Sequence, residues 1–211
     1  MATKSYPRPS FTVDVVLLRF NRHLELLLIQ RGAEPFAGRW ALPGGYVEEE
    51  ESPRDAAVRE LQEETTVVFP PERLLEVGVF ADKGRDPRGW TVSSAWIGLA
   101  ASDVAAKGGD DAKEAKWHPV TALPELAFDH GIIVRAAHQK LLMHLQSDTA
   151  ALQLLPASFR SADARTLYSE ILGEPVTPRK FKAWLRRREA VERVGPSRFR
   201  PSRGLSHDWL R

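Results

Sequence analysis

Residues 45–67 read GYVEEEESPRDAAVRELQEETTV, and the spacing inside this stretch decides the fold. Ser52 is a good N-cap, Pro53 suits the first helical position, and Asp55 completes a pattern like a capping box. A helix is therefore predicted from there to about Glu64. Glu60, Glu63 and Glu64 stand at i, i+3 and i+4 and share one face of that helix. Three carboxylates that close repel one another and raise each other's pKa unless a cation neutralises them. Oxygen-only ligands of this kind suit Mg²⁺ or Mn²⁺, which keep several waters and share phosphate oxygens with a substrate. Glu48–Glu51 adds four more acids just upstream. A solvated acidic face carries the same local signature, so the wider context has to separate the two.

Upstream, Phe11–Phe20 alternates Val13, Val15 and Leu17 and reads as a strand; Glu25–Gln30 is a second apolar run that makes the pair a hairpin. Arg31–Arg39, with Gly32, Pro35 and Gly38, is a loop, and Trp40–Gly45 is a short strand ending in a glycine pair. Downstream, Leu74–Ala81, Thr91–Ala100 and Ala115–Val120 read as strands, and Asp129 can cap a helix over His130–Leu145. The order is mixed α/β, followed by an α-rich tail. The histidines show no metal-ligand spacing; His130, His138 and His144 read as surface or packing residues of the helix.

The full stretch resembles the Nudix box: Gly, five residues, Glu, seven residues, Arg-Glu-aliphatic, any residue, Glu-Glu, any residue, Gly, aliphatic. Eight of the nine defined positions match at the required spacing, from Gly45 through Glu51, Arg59, Glu60, Leu61, Glu63 and Glu64 to Val67. Leu28–Arg31 and Gly38–Gly45 are similar to the usual approach to that box. The resemblance covers about residues 11–146 and implies a Nudix α/β/α sandwich with a mixed sheet. It implies that Glu60, Glu63 and Glu64, with the Gly44 carbonyl, hold Mg²⁺ or Mn²⁺. It also implies that Glu63 and Glu60 serve catalysis, and that Arg59 braces the acids. The glycine pair lets backbone approach a phosphate closely. One position departs: Thr66 stands where the family has Gly. A β-branched residue closes a helix in the left-handed conformation poorly. A displaced helix end is therefore expected, with hydrolysis weak or absent and nucleotide binding retained.

Gly84–Trp90 reads as a loop with two guanidiniums, those of Arg85 and Arg88, suited to bidentate phosphate contact. It resembles the loop of Nudix proteins that recognise ADP-ribose, particularly their regulator branch. Arg31, Gly45, Arg85, Asp86, Arg88 and Phe80 are the candidate ligand contacts. Phe80 and Trp90 can each stack on a base, although core packing is the commoner role for either.

The chain has 211 residues, with 43% hydrophobic and 27% charged residues and no Cys, which excludes disulfide scaffolds, Cys-ligated metals and thiol catalysis. No apolar run is long enough to span a bilayer, and residues 1–10 lack a signal-peptide core, so a cytoplasmic location is expected. Charge is unevenly spread. Residues 151–211 carry 13 Lys and Arg against 6 Asp and Glu, whereas the remainder is acidic. Either nucleic acid or plain solvent suits such a basic segment. The boundary is placed in Ser147–Arg160, giving a domain over 1–150 and a second over 151–211.

In that second part Ala164, Leu167, Tyr168, Ile171 and Leu172 form one amphipathic helix ended by Gly173. Thr177 and Pro178 open another, with Phe181, Trp184 and Leu185 on its apolar side and Arg179, Lys180, Lys182, Arg186 and Arg187 off it. A strand-turn-strand with Arg198 and Arg200 follows. Helix, turn, basic helix and wing outline a helix-turn-helix, though a dimerisation cap fits the pattern as well. The tail is similar to the winged helix of the Nudix-related transcriptional regulators of NAD metabolism (the NrtR family). That resemblance implies a dimeric regulator in which ADP-ribose, or a related nucleotide, releases operator DNA. The rival readings are a Mg²⁺-dependent ADP-ribose pyrophosphatase giving AMP and ribose 5-phosphate, alone or alongside regulation, and a hydrolase whose tail only dimerises.

Overall fold

The computed structural model describes residues 7–109, 112–147, 150–188, 191–196 and 198–201, with the side chains of 144–147, 150, 153 and 184–188 outside that description. Strand β1 (Ser10–Asn21) turns into β2 (His23–Arg31), and β3 (Trp40–Ala41) follows; then come helix α1 (Pro53–Thr65), β4 (Leu75–Phe80), β5 (Thr91–Ala100), β6 (Ala112–Pro119) and helix α2 (His130–Ser147). The six strands form one mixed sheet in the order β3-β2-β1-β5-β4, with β6 also paired to β2. Only β1 and β5 run parallel among these pairs; the rest are antiparallel.

Side chains alternate across β1, and this builds the two layers. Val13, Val15 and Leu17 are fully buried with Ala56, Ala57 and Leu61 of α1, whereas Val16, Leu18 and Phe20 are buried with Ile133, Ala137 and Leu141 of α2. The sheet is thus sandwiched between helices, as expected. Strands β1 and β2 pair only near their shared turn, from Leu18↔Leu26 to Asn21↔His23. Beyond that the segment after β3 takes β2's place: Val15 N–H donates to the Pro43 carbonyl and Val13 N–H to that of Gly45. The glycine pair is thereby laid against β1 in mid-sheet.

Helix α1 starts as predicted. Ser52 caps it, its Oγ accepting from the Asp55 N–H at 3.2 Å. Its end corrects the expectation of a displaced terminus. Thr66 itself adopts the left-handed conformation, at φ 59° and ψ 8°, and its N–H donates to the Gln62 carbonyl. The closing bond that glycine normally makes is made by threonine.

The tail supplies β7 (Phe159–Arg160), α3 (Ser161–Leu172), α4 (Pro178–Arg188), β8 (Val191–Gly195) and β9 (Arg198–Pro201), with a small sheet in the order β7-β9-β8. Two-residue β7 has no local sequence signal; it exists because Phe159 and Arg160 pair with Phe199 and Arg198. Thr177 N-caps α4 by accepting from the Lys180 N–H. Ala164, Leu167, Tyr168 and Ile171 are buried as expected, but Leu172 is 44% exposed and leaves the stripe.

The expected boundary at 150/151 falls on a 3-10 turn, Ala150–Leu154, and not on an exposed linker. Leu152 and Leu154 are buried in one apolar cluster that joins Leu26 of β2, Ile133 of α2, Leu167 of α3 and Phe181 of α4. Polar contacts cross the same seam. Glu170 accepts from the Leu24 N–H at 2.5 Å, and His138 Nε2 donates to the Ile171 carbonyl at 2.6 Å. Among the described residues no helix is long and apolar enough to cross a membrane.

Candidate functional site

A cleft of about 400 Å³ opens between the glycine pair, α1 and the loop before β5. Its acidic wall carries Glu60 and Glu64, and its basic wall carries Arg31, Arg85 and Arg88; Gly44, Gly45, Tyr46, Asp86, Phe128 and His130 line it too. Glu64 accepts from the Gly44 N–H at 2.9 Å. Burial, and after it the charges of Glu60 and Asp14, push the Glu64 carboxyl up to about 8 against that hydrogen bond. Burial also raises Glu60, against the pull of Arg59.

Arg59 organises the rest of the helix's acid face. It donates to Glu51 at 2.7 Å, to Glu60 at 2.9 Å, to Glu63 at 3.0 Å and to the Tyr46 carbonyl at 2.9 Å. Glu63 is held by Arg59 on the flank of α1 and is not among the residues lining the cleft. Among the described residues no three acids or histidines converge as a ready metal cage. The donors still fit a hard divalent cation. Glu60 and Glu64 are half-buried carboxylates with raised pKa values, Glu60 beside Arg59 and Glu64 on the Gly44 N–H, and Mg²⁺ is commonly held by one or two carboxylates, waters and substrate phosphates.

The basic wall is built around Phe128. The Arg31 guanidinium lies 4.8 Å and that of Arg88 5.5 Å from the Phe128 ring centroid. Burial and the like charge of Arg88 lower Arg31, which is anchored by donating to the Pro35 carbonyl at 2.8 Å. Asp86 grips Arg88 through its side chain at 2.7 Å and its N–H at 2.9 Å. Two guanidiniums over one ring face the cleft, an arrangement suited to an anion.

Arg85 stands differently from the sequence expectation. It lines the cleft, but its guanidinium is bonded to both Asp129 oxygens at 2.8 and 2.9 Å and lies 3.4 Å from Asp14, with a side chain only 5% exposed. It is an internal counter-ion and not a free phosphate fork. Phe80 packs against the sheet layer under α2 and is not part of the cleft lining, which removes it from the ligand set. Trp90 is 55% exposed and not a core residue.

Sequence reasoning missed Asp14, Tyr46, Phe128 and His130. Asp14 had a signal: it is the one acid inside the apolar run of β1. Burial opposes its charge, and Ser93 Oγ, Arg85 and His130 surround the carboxylate with partners. His130 had none, because its role depends on chain segments far apart in sequence.

On the tail, Arg179, Lys180 and Lys182 are exposed on α4. Arg186 and Arg187 belong to that helix, and their side chains lie outside the described residues. Arg198 donates to Ser158 Oγ at 3.2 Å and remains exposed, whereas Arg200 is paired with Glu192 at 2.6 Å.

The NUDIX domain family matches residues 9–137. The chain belongs to the Nudix family. Over 130 residues, 62% of this chain and 73% of the relative, it is 42% identical to an ADP-ribose pyrophosphatase of Methanocaldococcus jannaschii. Over 199 residues, 92% of this chain and 79% of the relative, it is 29% identical to the ADPR responsive transcriptional repressor NtrR of Acinetobacter baylyi. A MutT/nudix family protein of Enterococcus faecalis superposes with a TM-score of 0.83 at 31% identity, over 96% of this chain and 90% of that one. The NUDIX domain of Shewanella oneidensis NrtR complexed with ADP ribose superposes with a TM-score of 0.59 at 34% identity, over 64% and 90%.

Proposed function

We propose that this protein is an ADP-ribose-responsive transcriptional regulator of NAD metabolism. The cleft senses ADP-ribose or a related nucleotide, and α4 with the β8–β9 wing contacts operator DNA. The observation that carries this reading is the union of two features in one folded unit. A cleft with an acidic and a basic wall is packed, through one apolar cluster, against a module whose helix exposes Arg179, Lys180 and Lys182. Similarity to a repressor over 92% of the chain supports the same union. A homodimer would let two copies of α4 read two half-sites in successive major grooves.

In the cleft, Glu60 and Glu64, with the Gly44 carbonyl, would hold Mg²⁺ or Mn²⁺; Glu63, on the flank of α1, would join them only by leaving Arg59. Such a cation, when bound, offsets diphosphate charge and activates water. Arg31 and Arg88 would take the other side of the nucleotide, with Asp86 aiming Arg88. Gly45, which has no Cβ, leaves room for the Glu60 carboxylate. The cleft can release DNA only if the nucleotide binds the two conformations with different affinity.

A specific observation favours hydrolysis beside regulation. Thr66 closes α1 in the left-handed conformation, so the geometric reason to expect weak turnover is gone. Glu63, held by Arg59 until substrate arrives, is the candidate base. Calorimetry of ADP-ribose binding to the full chain tests the sensor, and AMP release with and without Glu63→Gln tests the enzyme. Micromolar binding is expected with Mg²⁺ present. Absence of binding by both wild type and variant would remove the sensor reading.

A further inference from the structure

His130 lies outside the Nudix box, at the start of α2, yet it is 6% exposed and part of the cleft lining. Its two ring nitrogens have unlike partners. The Leu42 N–H donates to Nδ1 at 2.9 Å, so Nδ1 carries no proton. Nε2 lies 3.1 Å from Asp14 Oδ1 and donates to it. The ring is therefore the neutral Nε2–H tautomer, fixed from both sides. Asp14 is held in turn by Ser93 Oγ at 2.5 Å and by Arg85. Two residues beyond Leu42, the Gly44 N–H donates to Glu64.

We propose that His130 is a positioning residue for the box. By accepting the Leu42 N–H it sets the Leu42–Gly44 segment so that the Gly44 N–H meets the Glu64 carboxylate. A hydrogen-bonded partner behind a binding carboxylate typically changes ligand or metal affinity by 10- to 100-fold when removed. The geometry separates the two arms of the imidazole. In His130→Asn the side-chain oxygen takes the place of Nδ1 and keeps the Leu42 contact, but it cannot reach Asp14. In His130→Gln the amide nitrogen takes the place of Nε2 and keeps Asp14, but the Leu42 N–H loses its acceptor.

The test uses the full chain and two readouts. The first is ligand-free: ring ¹⁵N shifts of wild-type His130, and amide hydrogen exchange at Leu42 and Gly44 in wild type, His130→Asn and His130→Gln. The expected results are the Nε2–H tautomer, and protection kept by Asn and lost by Gln. The second is ADP-ribose affinity with Mg²⁺, expected to be near wild type for Asn and about 10-fold weaker for Gln. This readout rests on the proposed nucleotide cleft; failure of wild type to bind would count against that reading, while the exchange data still decide the role of His130. An Nδ1–H tautomer, equal protection in both variants, or Gln binding better than Asn would overturn the proposal. A merely structural histidine would lower the melting temperature of both variants without ordering Asn above Gln in affinity. The tautomer readout needs only the wild-type fold.

Discussion

Gly45 backs onto the Glu60 carboxylate so closely that a Cβ at position 45 would overlap it. The obstacle is the far end of a flexible side chain, so Gly45→Ala should fold and displace Glu60. Nucleotide binding in the presence of Mg²⁺ is expected to weaken about 10- to 100-fold with little change in melting temperature. Gly44 is the contrast. A Cβ there meets the Val13 carbonyl, which is backbone that cannot step aside. Gly44→Ala should cost roughly 1–3 kcal/mol of stability as well as affinity. Calorimetry paired with urea denaturation separates the two, and equal effects from both variants would contradict this geometry.

The Glu64 carboxyl gives a pH dependence with a definite sign. Its pKa is pushed up to about 8 in the folded chain, chiefly by burial, from a usual value of 4.5. The folded state therefore binds this proton more tightly than the unfolded state. The stabilisation is full below the unfolded value and is lost as pH rises through about 8. Metal-free protein should lose melting temperature across that interval, and Glu64→Gln should flatten the slope. Binding of Mg²⁺ at pH 7 should release protons to the buffer, which calorimetry in buffers of different ionisation enthalpy detects. An identical slope in wild type and variant would contradict the assignment.

Arg85 and Asp129 are nearly buried and bonded through two hydrogen bonds. Removing Arg85 strands the Asp129 charge, so Arg85→Ala should destabilise by about 3–5 kcal/mol in chemical denaturation, whereas Asp129→Ala leaves Arg85 with Asp14 at 3.4 Å and should cost less. If Arg85 served only as a ligand contact, Arg85→Ala would leave stability unchanged and weaken nucleotide binding alone.

The box, its helix and both layers were legible because their signals are local: Ser52 and Asp55 cap α1, and β1 alternates residue by residue. The buried ion network was not. Asp14 of β1, Ser93 of β5, Arg85 of the loop before β5 and the pair Asp129 and His130 at the start of α2 are far apart in sequence, and only the fold shows that they meet. Thr66 misled for a physical reason. Propensity disfavours threonine in the left-handed region, but the Thr66 N–H bond to Gln62 and burial of the neighbouring Thr65 and Val67 hold it there. The Arg85 guanidinium looked free because sequence does not show its carboxylate partners.

Thr66→Gly tests that correction. Relief of left-handed strain, worth about 1–2 kcal/mol, is offset by about 0.5–1 kcal/mol of glycine entropy, so a small gain in stability is expected. Turnover of ADP-ribose should not change, because the helix end is already in place. A large rise in turnover would reinstate Thr66 as the cause of a crippled site.

Exposed Arg179 and Lys182 on α4 should act on phosphates. Arg179→Ala and Lys182→Ala are each expected to weaken binding to all DNA sequences alike and to lower the slope of log affinity against log salt by about 1. Arg200→Ala should do less, since Arg200 is already paired with Glu192.

The most direct measurement is anisotropy of a labelled DNA fragment, enriched from sheared genomic DNA on the full chain, at one fixed salt concentration, with and without ADP-ribose. The account predicts tight, sequence-selective binding that ADP-ribose reverses. Weak, sequence-indifferent binding that ignores ADP-ribose would contradict it and leave a Nudix hydrolase with a basic appendage.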